Sequence, residues 1–114
     1  MTTTWDLFHR AALTLVGVGT IKQRLTQAYR RYLFELDEES LPRELRSDFA
    51  WLTEQVTSGR AMGGLGIVEA TVRKMSDSDA ARCAERIFEM FSVLTEAQPR
   101  AARAHGLRAI GGAG

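Results

Sequence analysis

The residues in this chain best suited to catalysis are one cysteine, two histidines and a set of helical carboxylates. A cysteine nucleophile needs a neighbouring base to draw off its proton. Cys83 projects onto the inner side of a helical segment beside Ile87, where a thiol acts as a small hydrophobe. His9 lies at the margin of an apolar arc and His105 in the C-terminal tail, and neither is at ligand spacing from the other or from Cys83. A zinc site needs more ligands than these. Glu85 and Glu89 stand at i, i+4 with Arg82 and Arg86 interleaved, the pattern of a solvated, ion-paired helix face. A di-metal bundle would require Glu-x-x-His motifs on facing helices, and the chain has none. The glycine-rich run 59–66, GRAMGGLG, lacks the Lys and Ser/Thr of a phosphate-binding loop, since Leu65 follows Gly64. It also follows a helical pattern rather than the strand that a dinucleotide fingerprint requires. These residues predict a protein that is not an enzyme, with no cofactor and no metal.

Binding residues are better organised. Arg24, Gln27, Arg31 and Phe34 recur at i, i+3, i+7 and i+10 opposite the apolar side of one helix, with Arg30 beside them. A guanidinium row with an exposed aromatic can grip an acidic protein surface, because arginine and aromatics dominate interface energetics. It can also hold phosphates and stack a base. The competing reading is a solvated face whose arginines pair with the acidic residues of 37–48. Trp51 lies off the apolar stripe of its own helix, so either a second layer of the fold or a partner must cover it. Gly17-Val18-Gly19 resembles the short turn of a helix-turn-helix, which would put Lys22, Gln23 and Gln27 at base edges. The flanking acidic segments and a net charge of +1 argue against DNA.

A chain of 114 residues fits one domain and can bury a modest core without disulfides or metals. Its single cysteine permits no internal disulfide, and no apolar run approaches the roughly 20 residues that cross a bilayer. The start, MTTTWDLFHR, lacks signal-peptide character. A cytoplasmic setting is the expectation. Thirteen arginines against two lysines, with abundant Ala and Gly, read as the codon bias of a GC-rich bacterial genome.

Five amphipathic segments position these residues. The first runs from Trp5 to Val16 behind Thr3 or Thr4, with an apolar arc covering more than half its circumference. The second opens on the T-x-x-Q capping box Thr20–Gln23 and carries Ile21, Leu25, Ala28, Tyr29, Tyr32 and Leu36 inward. Asp37-Glu38-Glu39 then opposes its macrodipole and ends it. The third begins near Pro42 and repeats Leu45, Phe49, Leu52 and Val56. Residues 67–75 fit a short helix or a strand. A helix is chosen because no second strand candidate exists to pair with. The last helix, from Ser76 to Ala97, starts on S-x-x-D and faces Ala80, Ala84, Ile87, Phe91 and Leu94 inward.

The prediction is therefore an all-α bundle of four to five helices spanning 1–98, with a Gly-rich inter-helix loop. Residues 99–114 are expected to be a frayed, basic and Gly-rich tail. The predicted function is a non-catalytic protein-interaction module: an adaptor, accessory subunit or small inhibitory protein docking on a larger complex, of the kind phages and mobile elements carry. Its expected binding residues are Arg24, Gln27, Arg30, Arg31, Phe34 and Trp51. The alternative is a small helical nucleic-acid-binding regulator using the basic face of the second helix. The wide arc of the first helix further predicts a homodimer through Trp5, Phe8 and Leu15.

Overall fold

The computed structural model describes residues 2–61 and 63–98. Among these the chain forms five α-helices and no strand: α1 (Thr4–Leu15), α2 (Ile21–Ala28), α3 (Arg43–Thr57), α4 (Ile67–Arg73) and α5 (Asp77–Glu96). A π-helical turn, Tyr29–Leu33, continues α2, and a 3-10 turn, Glu38–Ser40, precedes α3. The expected tail, 99–114, lies outside the described residues.

Local chemistry sets the helix starts. Thr3 Oγ1 accepts from Asp6 N at 3.1 Å while Thr3 N donates to Asp6 Oδ2 at 2.9 Å. Thr20 and Gln23 make the same reciprocal pair, at 3.1 and 2.9 Å. Ser76 Oγ accepts from Asp79 N at 3.0 Å and opens α5. Each cap satisfies backbone donors that the first helical turn leaves without a partner. Between α1 and α2, Gly19 adopts a left-handed φ of +104°, a conformation that costs glycine little.

Residues 67–73 form a helix, which puts Val68, Thr71 and Val72 on one buried side at i, i+3 and i+4. Thr71 Oγ1 accepts from Gly59 N at 2.9 Å and donates to Ile67 O at 2.7 Å, tying the end of α3 to α4. A Cβ on residue 59 would lie 2.8 Å from that hydroxyl, so the close approach requires glycine.

One core cluster unites the bundle. Phe8 of α1, Leu25 of α2, Leu33 of the π turn, Leu52 of α3 and Ile87 and Met90 of α5 are fully buried in it. Burying each such side chain contributes about 1.5–3 kcal/mol. The stripe Leu45, Phe49, Leu52 and Val56 enters this cluster with Ile87 and Leu94, as the spacing predicted.

Three packing expectations need correction. Leu33, not Tyr32, is the fully buried residue at the end of the second helix. The π turn adds a residue, and Phe34 N donates to Tyr29 O at 2.8 Å, five positions back. Each residue normally advances the face by roughly 100°, so the insertion swings Leu33 inward. On α5, Met90 is fully buried while Phe91 is only half-buried against Trp5 and His9, with ring centroids at 5.8 and 5.6 Å. Finally, Phe8 and Leu15 are not available for a dimer interface. They are buried within the one chain, because α1 packs against α2, the π turn and α5 at once. Trp5, the third residue of that expected interface, is half-buried and donates from Nε1 to Thr95 Oγ1 at 2.9 Å.

Candidate interaction surface

The six residues expected to bind a partner divide into three settings. Arg24 is structural. Its guanidinium Nη1 donates to Leu15 O and its Nε to Gly19 O at 3.1 Å. A cation at that position complements the negative end of α1 and joins it to the turn that follows.

Gln27, Arg30, Arg31 and Phe34 form an exposed ridge along α2 and the π turn. Arg30 reaches across to Glu69 of α4 in an ion pair, with its side chain still more than half exposed. Its partner is thus on α4, not in the acidic stretch 37–48. Arg31 is exposed and makes no ion pair or hydrogen bond among the described residues. Phe34 is 52% exposed, and its ring meets Tyr29 edge-on at 6.2 Å between centroids. Tyr29 is itself fixed, because its hydroxyl donates to Thr53 Oγ1 of α3 at 3.0 Å. The exposed ring therefore stands on a rigid base.

Trp51 is half-buried and covered by its own fold. Arg86 of α5 lies 4.6 Å above the ring and bonds Asp48 Oδ1 at 2.8 Å, closing Asp48, Trp51 and Arg86 into one group. Of the two covers the sequence allowed, a neighbouring helix supplies this part. Arg86 also lies 3.7 Å from Glu89, as the spacing on α5 predicted, whereas Arg82 lies 3.8 Å from Asp79 and Glu85 makes no ion pair among the described residues.

A groove of about 520 Å³ runs beside the ridge between α2 and α4, lined in part by Lys22, Thr26, Gln27, Arg30, Glu69 and Asp77. Its charge is mixed, and much of it is already engaged. Lys22 Nζ donates to Arg73 O at 2.7 Å, and Gln23 closes the α2 cap. Of the expected base-reading residues of a helix-turn-helix, Lys22, Gln23 and Gln27, the first two are engaged in this way and Gln27 stands exposed on the ridge.

Cys83 and His9 sit in separate settings, and His105 lies outside the described residues. Cys83 is buried, and burial pushes its thiol above the ordinary range, with the Asp79 carboxylate adding to the effect. A protonated, enclosed thiol is a poor nucleophile. His9 stacks on Trp5 at 4.8 Å and faces Phe91 rather than any carboxylate. Among the described residues no three potential metal ligands converge, and no helix is long and apolar enough to cross a membrane.

The sequence reading missed a second exposed surface. Leu13, Val16 and Val18 at the α1–α2 corner, and Phe88 on α5, are all exposed. Val18 between two glycines is the signal the sequence carries, and it marks a turn without saying that the side chain projects outward. Comparison with protein-family models, curated proteins and solved structures gives no match.

Proposed function

We propose that this chain is a non-catalytic protein-interaction module that docks on a larger protein through the ridge Gln27, Arg30, Arg31 and Phe34. Adaptor, accessory-subunit and inhibitor roles all use such a surface. The observation that carries the reading is Phe34, half exposed on a base fixed by Tyr29, beside the exposed guanidinium of Arg31, which has no partner among the described residues. A rigid aromatic and an arginine side by side are the residue types that concentrate binding energy at protein interfaces. Neither is needed to fill the core. The adjoining groove mixes Lys22 and Arg30 with Glu69 and Asp77, which suits the mixed charge of a protein surface better than a run of phosphates.

The test is a paired substitution, Arg31→Glu with Phe34→Ala. The melting temperature and helical circular dichroism should hold, while capture of the partner from cells falls at least 30-fold, the equivalent of about 2 kcal/mol. Partner capture that survives the pair would remove the ridge as the docking surface. Binding of single-stranded DNA or RNA that weakens steeply with salt, and is lost in the same variant, would favour the nucleic-acid regulator instead.

A further inference from the structure

The apolar surface at the α1–α2 corner is distinct from the ridge. Val18 is 96% exposed, held out between Gly17 and Gly19, with Val16 and Leu13 exposed behind it. Beside this projection lies an open groove of about 480 Å³. Ile21 and Arg24 form one wall above the nearly buried Leu15, and Ala81, Ala84 and Phe88 of α5 form the other. Glu85 and Glu89 lie along the α5 rim. We infer that this corner and groove form a two-fold contact with a second copy of this chain, the Val18 projection of each copy seating in the groove of the other.

Two features select a second copy as the occupant. The first is the placement of projection and groove on one surface. Val18 lies three residues from Leu15 and three from Ile21, and both of those line the groove. A two-fold interface uses the same patch on both subunits, so it needs the convex and the concave part side by side. The second is charge. Arg10 is exposed one turn before Leu13 on α1 and makes no ion pair among the described residues. Glu85 on the groove rim makes none either, and Glu89 reaches only Arg86, at 3.7 Å with its side chain 69% exposed. One patch thus carries the exposed Arg10 on its projecting side, with only the Asp6 carboxylate of its own helix drawing on it among the described residues. On its groove side it carries Glu85 and Glu89, where the Arg24 guanidinium is turned to backbone carbonyls. A two-fold axis brings Arg10 against these carboxylates. The contact replaces the interface through Phe8 and Leu15 that the wide apolar arc suggested. The surplus apolar surface is at the end of α1, not along its middle.

Sedimentation equilibrium of the full chain, from low to high micromolar concentration, tests the inference. The wild-type protein should approach twice the chain mass of 12.7 kDa. Val18→Asp should sediment as a monomer and melt with the wild type at concentrations too low for association, since within one copy the side chain is 96% exposed. Should the aspartate perturb the turn, Val18→Ser provides the same reading with a smaller change. Arg10→Glu should weaken association at least tenfold, and combining it with Glu85→Arg and Glu89→Arg should restore it. The ridge variant Arg31→Glu with Phe34→Ala should remain dimeric, so loss of partner capture and loss of dimer are separable. A wild-type chain that stays at 12.7 kDa at high micromolar concentration, or a Val18→Asp chain that still dimerises, would overturn the inference. So would failure of the charge-swapped triple variant to reassociate.

Discussion

Replacing Arg24 should destabilise the fold, whereas replacing Arg31, seven residues on along the same helix face, should not. Arg24 donates to Leu15 O, at the end of α1, and to Gly19 O, in the turn that leads to α2. Arg24→Ala removes both bonds together with a cation near a helix C-terminus. Hydrogen bonds to a charged group contribute about 1.5–3 kcal/mol, and the helix-end charge about 0.3–1 kcal/mol. The site is only partly buried, so water recovers some of the loss at the freed carbonyls. A net cost of about 1.5–2 kcal/mol follows. For a domain of this size each kcal/mol moves the midpoint by about 4–8 °C, so the melt should drop by roughly 6–16 °C. Arg24→Lys should recover part of this, because an ammonium keeps the charge but cannot bridge two carbonyls with a planar fork. Arg31→Ala, an exposed side chain with no partner among the described residues, should stay within about 0.5 kcal/mol of wild type. Thermal melts by far-UV circular dichroism at matched concentration read all three. An Arg24→Ala protein that melts with the wild type, or an Arg31→Ala protein that falls as far, would refute the assignment of one arginine to the fold and the other to the surface.

Other consequences concern the core and its titrating groups. Met90→Ala should cost about 2–5 kcal/mol in denaturant unfolding and exceed Phe91→Ala, because Met90 is fully enclosed and Phe91 is not. Thr71→Val should cost about 1–3 kcal/mol, since Gly59 N then loses its acceptor where the chain leaves α3. Burial raises the Cys83 thiol, so the folded state keeps a proton that the unfolded chain releases. That contribution is complete below the unfolded value of about 8.5 and is lost as pH rises past it, so urea midpoints should decline in alkali. Tyr29, also raised by burial, adds to the decline at higher pH. Arg86→Ala should expose the Trp51 ring and red-shift its fluorescence, at a stability cost of about 1–2 kcal/mol for the lost ring contact and ion pair.

The fold was legible wherever one residue's own chemistry decides the backbone. Thr20 with Gln23 and Ser76 with Asp79 mark helix starts by side-chain reach alone, and both starts lie where the sequence put them. The stripe from Leu45 to Val56 was equally plain, because a regular helix carries its period unchanged. The period failed at Leu33, where a π turn inserts a residue that no local composition announces. It also misjudged the first helix. The width of an apolar arc says how much must be covered, but not whether α2 and α5 of the same chain do the covering. The candidate site was readable as a row of residues and not as a surface. Spacing placed Arg24 and Arg31 on one ridge, yet the fate of each guanidinium depends on what lies within its reach. For Arg24 that is the end of α1, and for Arg30 it is Glu69, 39 positions away in sequence.

The ridge as a docking surface for protein is tested most directly by photo-crosslinking in the source cells. A benzophenone amino acid replaces Phe34 in one strain and Ser92, an exposed residue of α5, in another. The account predicts a discrete protease-sensitive, nuclease-resistant adduct from position 34 that disappears when Arg31→Glu is added, and none from position 92. No adduct at position 34, or one that nuclease removes, would contradict it.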